Sequence, residues 1–171
     1  MVSGRDAQPV LLPFRYPPVI KGKTSREGPD RMSDKLKMAR QFIQALPHSM
    51  ALGMELRDLG DGSAEITMPY DEKLIGDPKT GVIHGGAVSA LMDTCCGAAV
   101  MSHPSNPAAT ATMDLRIEYL RAATPGQSIT TRATCYHVTR SVAFVRATAT
   151  DEDAENLVAT ATGTFTVEGH K

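Results

Sequence analysis

Beyond Pro107 the chain takes up a period of two. Thr110, Thr112, Asp114 and Arg116 alternate with Ala111, Met113, Leu115 and Ile117. Such alternation predicts a strand with one face turned to a core, and it places Thr112 on the same face as Asp114. Three more strands are predicted at about 127–139, 141–151 and 156–167. Thr124-Pro125-Gly126-Gln127 fits a type II turn, with Pro in the second place and Gly in the third. Asp151-Glu152-Asp153 join the last two strands. These strands run to about 10–12 residues where 5–6 is usual.

The first half mixes periods. Ser33 caps a predicted helix through about Leu46, with Leu36, Ala39, Arg40 and Ile43 at helical spacing and Pro47 after its end. Strands are predicted at 52–59 and 64–70, joined as a hairpin at Gly60-Asp61-Gly62, and a loop follows over 71–80. Residues 85–103 read as the longest helix. Val88, Leu91, Met92, Cys95 and Ala99 make its apolar face, while Ala87, Ser89, Ala90, Gly97 and Ala98 are small, which predicts burial all round. The whole pattern predicts an α+β fold in which a long curved antiparallel sheet wraps around one central helix. Residues 33–171 form that domain. Residues 1–32, with Pro9, Pro13, Pro17, Pro18 and Pro29 and no period, form an extended or disordered arm.

Composition narrows the function. The 171 residues are 42% hydrophobic and 22% charged, enough for one core, and the net charge of −1 favours neither nucleic acid nor membrane as a partner. The arm is mildly basic but too short and proline-rich for a helix-turn-helix domain. Three cysteines, with Cys95 and Cys96 adjacent, make no disulfide framework and suit a reducing compartment. Neither a signal pattern nor an apolar run of about 20 residues is present, so a cytoplasmic setting is expected.

Candidate chemistry gathers in Gly81-Val82-Ile83-His84-Gly85-Gly86 and in Asp93, the one acid of the long helix. Glycines at a helix start leave backbone N–H groups open at the positive end of the dipole, where the oxygen of a tetrahedral intermediate can bind. The same glycines also serve tight packing against a strand. Asp93 is a general base, a nucleophile, or a carboxylate on an exposed helix face. Gly85 and Asp93 stand eight residues apart, about 12 Å along the axis and roughly 80° around it. One carbonyl is awkward for both to serve, so the spacing predicts a site shared across a dimer. His84 caps or orients the loop more readily than it catalyses, since nothing pairs it with a nucleophile. His48, His103, His137 and His170 lack metal-ligand spacing, Cys95 and Cys96 read as inert packing, and no phosphate-binding glycine loop is present.

At these residues the chain resembles the hotdog-fold acyl-CoA thioesterases of the phenylacetyl-CoA (PaaI-like) type. Their pattern is Gly-x-x-His-Gly-Gly with an acid eight residues after the first paired glycine. The resemblance continues through Thr112-Met113-Asp114-Leu115-Arg116-Ile117-Glu118-Tyr119-Leu120 and Thr139-Arg140-Ser141-Val142-Ala143-Phe144, and spans about residues 48–167. It implies the hotdog fold and hydrolysis of an acyl-CoA, with coenzyme A as part of the substrate and no other cofactor. It implies that the Gly85 N–H polarises the thioester carbonyl and that Asp93 of the partner subunit acts as base or nucleophile. It further implies that Thr112 helps hold the attacking water, that His84 and Gly86 border the substrate, and that Arg140 and Ser141 meet coenzyme A phosphates. The assembly implied is a homodimer or a dimer of dimers. Relatives have Asn-Pro-x-Gly before the His; this chain has Asp77-Pro78-Lys79-Thr80-Gly81, so Asp77 takes the Asn's catalytic place or caps a turn.

Two rivals remain at this level. One is a hotdog protein that binds acyl-CoA for regulation without cleaving it, against which Asp93 argues. The other is a hotdog dehydratase or hydratase, which wants a catalytic His in a local motif absent here.

Overall fold

The computed structural model describes residues 36–37, 39–41, 43–105 and 107–169. The arm over 1–32, the Ser33 cap and His170 lie outside the described residues. The described residues of α1 (36–45) are helical, and Pro47 does not merely follow it: it occupies the first turn of a second short helix, α2 (Pro47–Ala51). Proline's fixed φ and missing N–H suit that place.

Strands β1 (Glu55–Gly60) and β2 (Ser63–Met68) form the predicted hairpin, with Gly62 at φ 76° in the turn. The segment 71–80, expected to be loop, holds a 3₁₀ turn at Glu72–Leu74 and β3 (Ile75–Asp77), which pairs with β4 (Val82–Ile83) in a small separate sheet. The long helix is α3 (Gly85–Met101). It ends before the expected His103, where the Ser102 hydroxyl turns back to donate to the Ala99 carbonyl at 3.0 Å, with Pro104 two residues on.

The second half gives β5 (Thr112–Tyr119), β6 (Ile129–Val138), β7 (Val142–Thr150) and β8 (Ala159–Thr166). All pairings are antiparallel in a six-stranded sheet of order β1-β2-β6-β7-β8-β5. The sheet packs on α3 mainly through β6, β2 and β7. Leu91, Met92, Cys95, Cys96, Ala99 and Val100 of α3 are fully buried, against Ile66, Met68, Ile129, Val145 and Phe165 of the strands. This is the long antiparallel sheet packed on a central helix that the periodicities predict.

Burial of α3 all round is not what is found. Gly86 is exposed, and Ser89, Ala90, Asp93, Thr94, Gly97 and Ala98 are half-buried. The sheet covers one side of the helix, and the small residues make an open stripe along the other.

β5 departs from its alternation too. Thr112 pairs with Phe165 and Asp114 with Thr164, so Met113 is an extra residue opposite none. Paired residues share a face, and Phe165 is buried while Thr164 is not. The bulge therefore turns Thr112 to the helix side with Leu115, Ile117 and Tyr119, and leaves Asp114, Arg116 and Glu118 outside. The predicted common face of Thr112 and Asp114 is thus corrected: one inserted residue reverses the alternation at its start.

Candidate active site

The helix start is shaped by what precedes it. Between β3 and β4 the chain turns at Asp77, whose Oδ1 accepts the Lys79 N–H at 3.0 Å and Oδ2 the Thr80 hydroxyl at 2.7 Å. The Asp77 carbonyl accepts the Gly81 N–H at 2.8 Å, and Gly81 takes φ 77°. These bonds, Thr80 foremost, hold the Asp77 carboxyl below its usual range. Asp77 thus caps the turn between β3 and β4. Tyr70 secures the far side of the turn by donating to the Gly81 carbonyl at 2.8 Å.

His84 then caps α3. Its backbone is extended (φ −60°, ψ 131°), its N–H donates to the Leu74 carbonyl at 2.8 Å, and its Nδ1 accepts the Gly86 N–H at 2.9 Å. A Cβ on Gly76 would stand 2.7 Å from the His84 Cα, so only glycine lets β3 lie this close. The His84 carbonyl accepts the Ala87 N–H at 2.9 Å. Among the described residues no acceptor takes the Gly85 N–H. It is a free donor at the positive end of a 17-residue helix.

Tyr119, at the far end of β5, reaches the same turn. Its hydroxyl donates to the Gly85 carbonyl at 2.7 Å and lies 2.6 Å from the Ser89 hydroxyl, which itself is 3.2 Å from that carbonyl. Sequence reading passed over both side chains. The only signal is Tyr119's place in the run from Thr112 to Leu120 that carries the resemblance, which marks a strand but no partner. Cavities flank the helix start. One of about 280 Å³ is lined by Gly85, Val88, Tyr119, Leu120 and Ala123 among others. The other, of about 430 Å³, is lined by His48, Leu52, Leu74, His84, Gly86 and Ala90 among others.

Two turns along the open stripe, Asp93 receives the Thr112 hydroxyl on Oδ1 at 2.7 Å. The bulge in β5 makes this contact possible. Asp93 is therefore neither unpaired nor enclosed in apolar surroundings, as an acid inside an apolar run suggests; it is half-buried on a face that the sheet leaves open. Its neighbour Cys96 is a poor nucleophile, since burial, with the Asp93 charge second, pushes its thiol up to about 12. Burial also raises the Cys95 thiol, which donates to the carbonyls of Ala64 and Thr131 at 3.4 and 3.3 Å.

Arg140 and Ser141 sit exposed in the β6–β7 turn. Register brings that turn to the Thr112 end of the sheet, because Thr112 pairs with Phe165, Phe165 with Ala143 and Ala143 with Val138. Two strand spacings, roughly 10 Å, separate Thr112 from Ala143. Among the described residues no three His, Cys, Asp or Glu side chains are grouped to hold a metal ion, and no helix is long and apolar enough to cross a membrane.

A free donor at one end of a helix, and a carboxylate with an orienting hydroxyl two turns away, can together polarise a carbonyl and activate a nucleophile. Comparison with known proteins bears on which carbonyl. Residues 80–158 match the family model described as the thioesterase superfamily, a span that includes Gly85, Asp93, Thr112, Arg140 and Ser141 but not Asp77. A putative esterase of Halobacterium salinarum is 43% identical over 75 residues, which are 42% of this chain; the chain spans half, 50%, of that relative's length. The medium/long-chain acyl-CoA thioesterase YigI of Escherichia coli is 24% identical over 143 residues, 76% of this chain and 91% of that one. Among solved structures, a Pseudomonas aeruginosa protein is 36% identical with a TM-score of 0.68, covering 77% of this chain and 97% of its own. A mutant of the phenylacetic acid degradation protein PaaI of Thermus thermophilus is 26% identical with a TM-score of 0.63, covering 71% and 99%.

Proposed function

The chain belongs to the thioesterase superfamily and has the hotdog fold of its PaaI-like members, and from that premise we propose that it hydrolyses acyl-CoA thioesters to a free acid and coenzyme A. The observation that carries the proposal is the Thr112–Asp93 hydrogen bond of 2.7 Å on the open face of a helix whose first N–H is free.

The thioester carbonyl oxygen binds the Gly85 N–H. Asp93 takes a proton from water as it adds to the carbonyl carbon, or its carboxylate adds directly to give an anhydride that water then opens. Negative charge builds on the oxygen at Gly85, where a preorganised donor contributes roughly 3–4 kcal/mol. The carbon–sulfur bond breaks and the coenzyme A thiolate leaves, taking up a proton. Thr112, by donating to Oδ1, orients the carboxylate and keeps its own lone pairs for the water. Arg140 supplies a charged fork for phosphate with Ser141 beside it. His84 and Gly86 hold the helix start beside the substrate, and Asp77 holds the loop that leads to it. As written, the reaction needs no metal or redox cofactor, and the free thiols suit a cytoplasmic setting.

Gly85 and Asp93 of one helix lie about 12 Å apart, so each site takes its donor from one subunit and its carboxylate from another. The state of β5 supports this. It is an edge strand, and Met113, Tyr119 and Leu120 are 59%, 49% and 58% exposed. An uncovered apolar edge invites a second copy.

Turnover of an acyl-CoA panel, followed with a thiol reagent, tests the activity, and no release above background from any chain length would end the claim. Gly85→Pro tests the donor. Gly85 is the first helical residue after an extended His84, a place where proline is tolerated, so the variant deletes the N–H and keeps the helix. Verified mixed dimers of Gly85→Pro with Asp93→Ala keep one intact composite site and regain activity; none regained would mean that sites are not shared.

A further inference from the structure

Consecutive glycines give the start of α3 more backbone freedom than any other pair of residues would. Yet the peptide unit that joins Gly85 to Gly86 is held at both ends. Its N–H, that of Gly86, donates to His84 Nδ1 at 2.9 Å. Its C=O, that of Gly85, accepts from the Tyr119 hydroxyl at 2.7 Å, and Ser89 Oγ lies 2.6 Å from that hydroxyl and 3.2 Å from the carbonyl. With one proton on each hydroxyl, a closed arrangement has Ser89 donating to Tyr119 and Tyr119 donating to the carbonyl.

His84 fills the space that a Cβ on Gly86 would need, while Tyr119 comes to ordinary contact range of Gly85. A Cβ on Gly86 would stand 2.9 Å from His84 Nδ1, and one on Gly85 would stand 3.4 Å from the Tyr119 ring. Gly86 admits the His84 arm, and the two arms together remove the freedom that the glycines bring.

We propose that Tyr119, assisted by Ser89, is a positioning residue for the carbonyl-polarising donor: with His84 it clamps the Gly85–Gly86 peptide and so aims the one N–H left free, that of Gly85. The role rests on the thioesterase reading of Gly85. Tyr119 touches no reacting atom in it. A donor that must meet a developing oxyanion gains from being fixed beforehand, since reorientation during the reaction would cost part of the stabilisation. The clamp joins this donor to β5, whose other end carries Thr112. The two half-sites of one subunit are thus tied to a single strand.

Tyr119→Phe in the full chain is the test, because it removes one oxygen from a half-exposed side chain and keeps the ring. Backbone amide exchange at Gly86 and steady-state kinetics are read on the same protein, with its melting temperature. We expect faster exchange at Gly86, a kcat lower by about threefold to tenfold (the loss of one ordinary hydrogen bond), an unchanged KM and an unchanged melting temperature. Ser89→Ala should give a smaller loss of the same kind, and the double variant less than the product of the two, as for residues acting as one unit. Unchanged exchange overturns the clamp whatever the kinetics. Faster exchange with an unchanged kcat, or a kcat loss matched by a fall in melting temperature, overturns the positioning role. A wild-type chain inactive on every acyl-CoA would instead end the hydrolase reading, and with it the catalytic purpose of the clamp, while exchange would still decide its existence.

Discussion

Asp151 and Asp93 are the same side chain held in opposite ways. Asp151 is fully enclosed and accepts from both arms of Arg121 at 2.7 Å, from the Thr124 N–H at 3.0 Å and from the Asp153 N–H at 3.1 Å. Arg121 further donates to the carbonyls of Ala122 and Asn156. That end of the molecule satisfies its own charges and ties the β5–β6 connection to the β7–β8 connection. Asp93 stands half-open with one hydroxyl on one oxygen. A buried charge with every position filled has nothing left to offer a ligand; a carboxylate with a vacant oxygen beside an open stripe does. How fully an acid is satisfied separates the two roles better than its burial or its neighbours in sequence.

The comparison can be broken by exchanging the effects. Asp93→Ala should lower kcat by about 10²–10⁴-fold, the range for a lost general base, with the urea midpoint unmoved. Normal turnover would remove Asp93 from the chemistry. Asp151→Ala should do the reverse, leaving the Thr124 and Asp153 N–H groups and the partly exposed Arg121 without their acceptor and costing about 1.5–3 kcal/mol of stability, measured by urea unfolding. If it unfolds no more easily than wild type, the latch is ornamental. A smaller loss of kcat sharpens the Asp93 side: Thr112→Val keeps the shape but loses a hydrogen bond to a charged group, about 1.5–3 kcal/mol, so kcat should fall by roughly ten- to a hundred-fold without loss of stability.

Acid sharpens the other side. The Arg121 guanidinium beside Asp151 holds its carboxyl far below the usual carboxylate range. Its folded value lies under its unfolded one, so the latch contributes fully above the unfolded value, about 3.9, and is lost as pH falls through the folded value. The urea midpoint of wild type should drop more steeply below about pH 4 than that of Asp151→Asn; parallel curves would contradict this. The smallest effect concerns the thiols. Cys95 and Cys96 are buried with raised values, so a thiol reagent should label them only on unfolding, and labelling at native rates would mean that the core opens.

Much of this was legible in the residues. Alternation after Pro107 found β5 to β8, and the His84-Gly85-Gly86 run found the start of α3. An acid in an otherwise apolar helix marks Asp93 without naming Thr112 as its partner. What escaped did so for physical reasons. Ile75, Val82 and Ile83 make strands too short for a period to register. Small residues read as buried on every side because Ala, Gly and Ser suit a core and an open stripe equally. The Met113 bulge reverses the facing of Thr112 without altering any letter of the pattern. Arg121 and Asp151 lie thirty residues apart, and each alone resembles an ordinary surface charge.

The place of β5 in the sheet has a consequence for synthesis. Among the described residues β5 pairs with β8 alone, and β8 is the last strand. While a ribosome is still making residues 159–166, α3 already carries its glycines and Asp93, but the strand bearing Thr112 and Tyr119 has no neighbour to lie against. Ala159, Ala161 and Phe165 of β8 also belong to the core, so in a domain elongating at about 5–20 residues per second the hydrophobic centre and the Thr112–Asp93 contact are completed together. The bond between Thr112 and Asp93 waits for a strand that is made some fifty residues later.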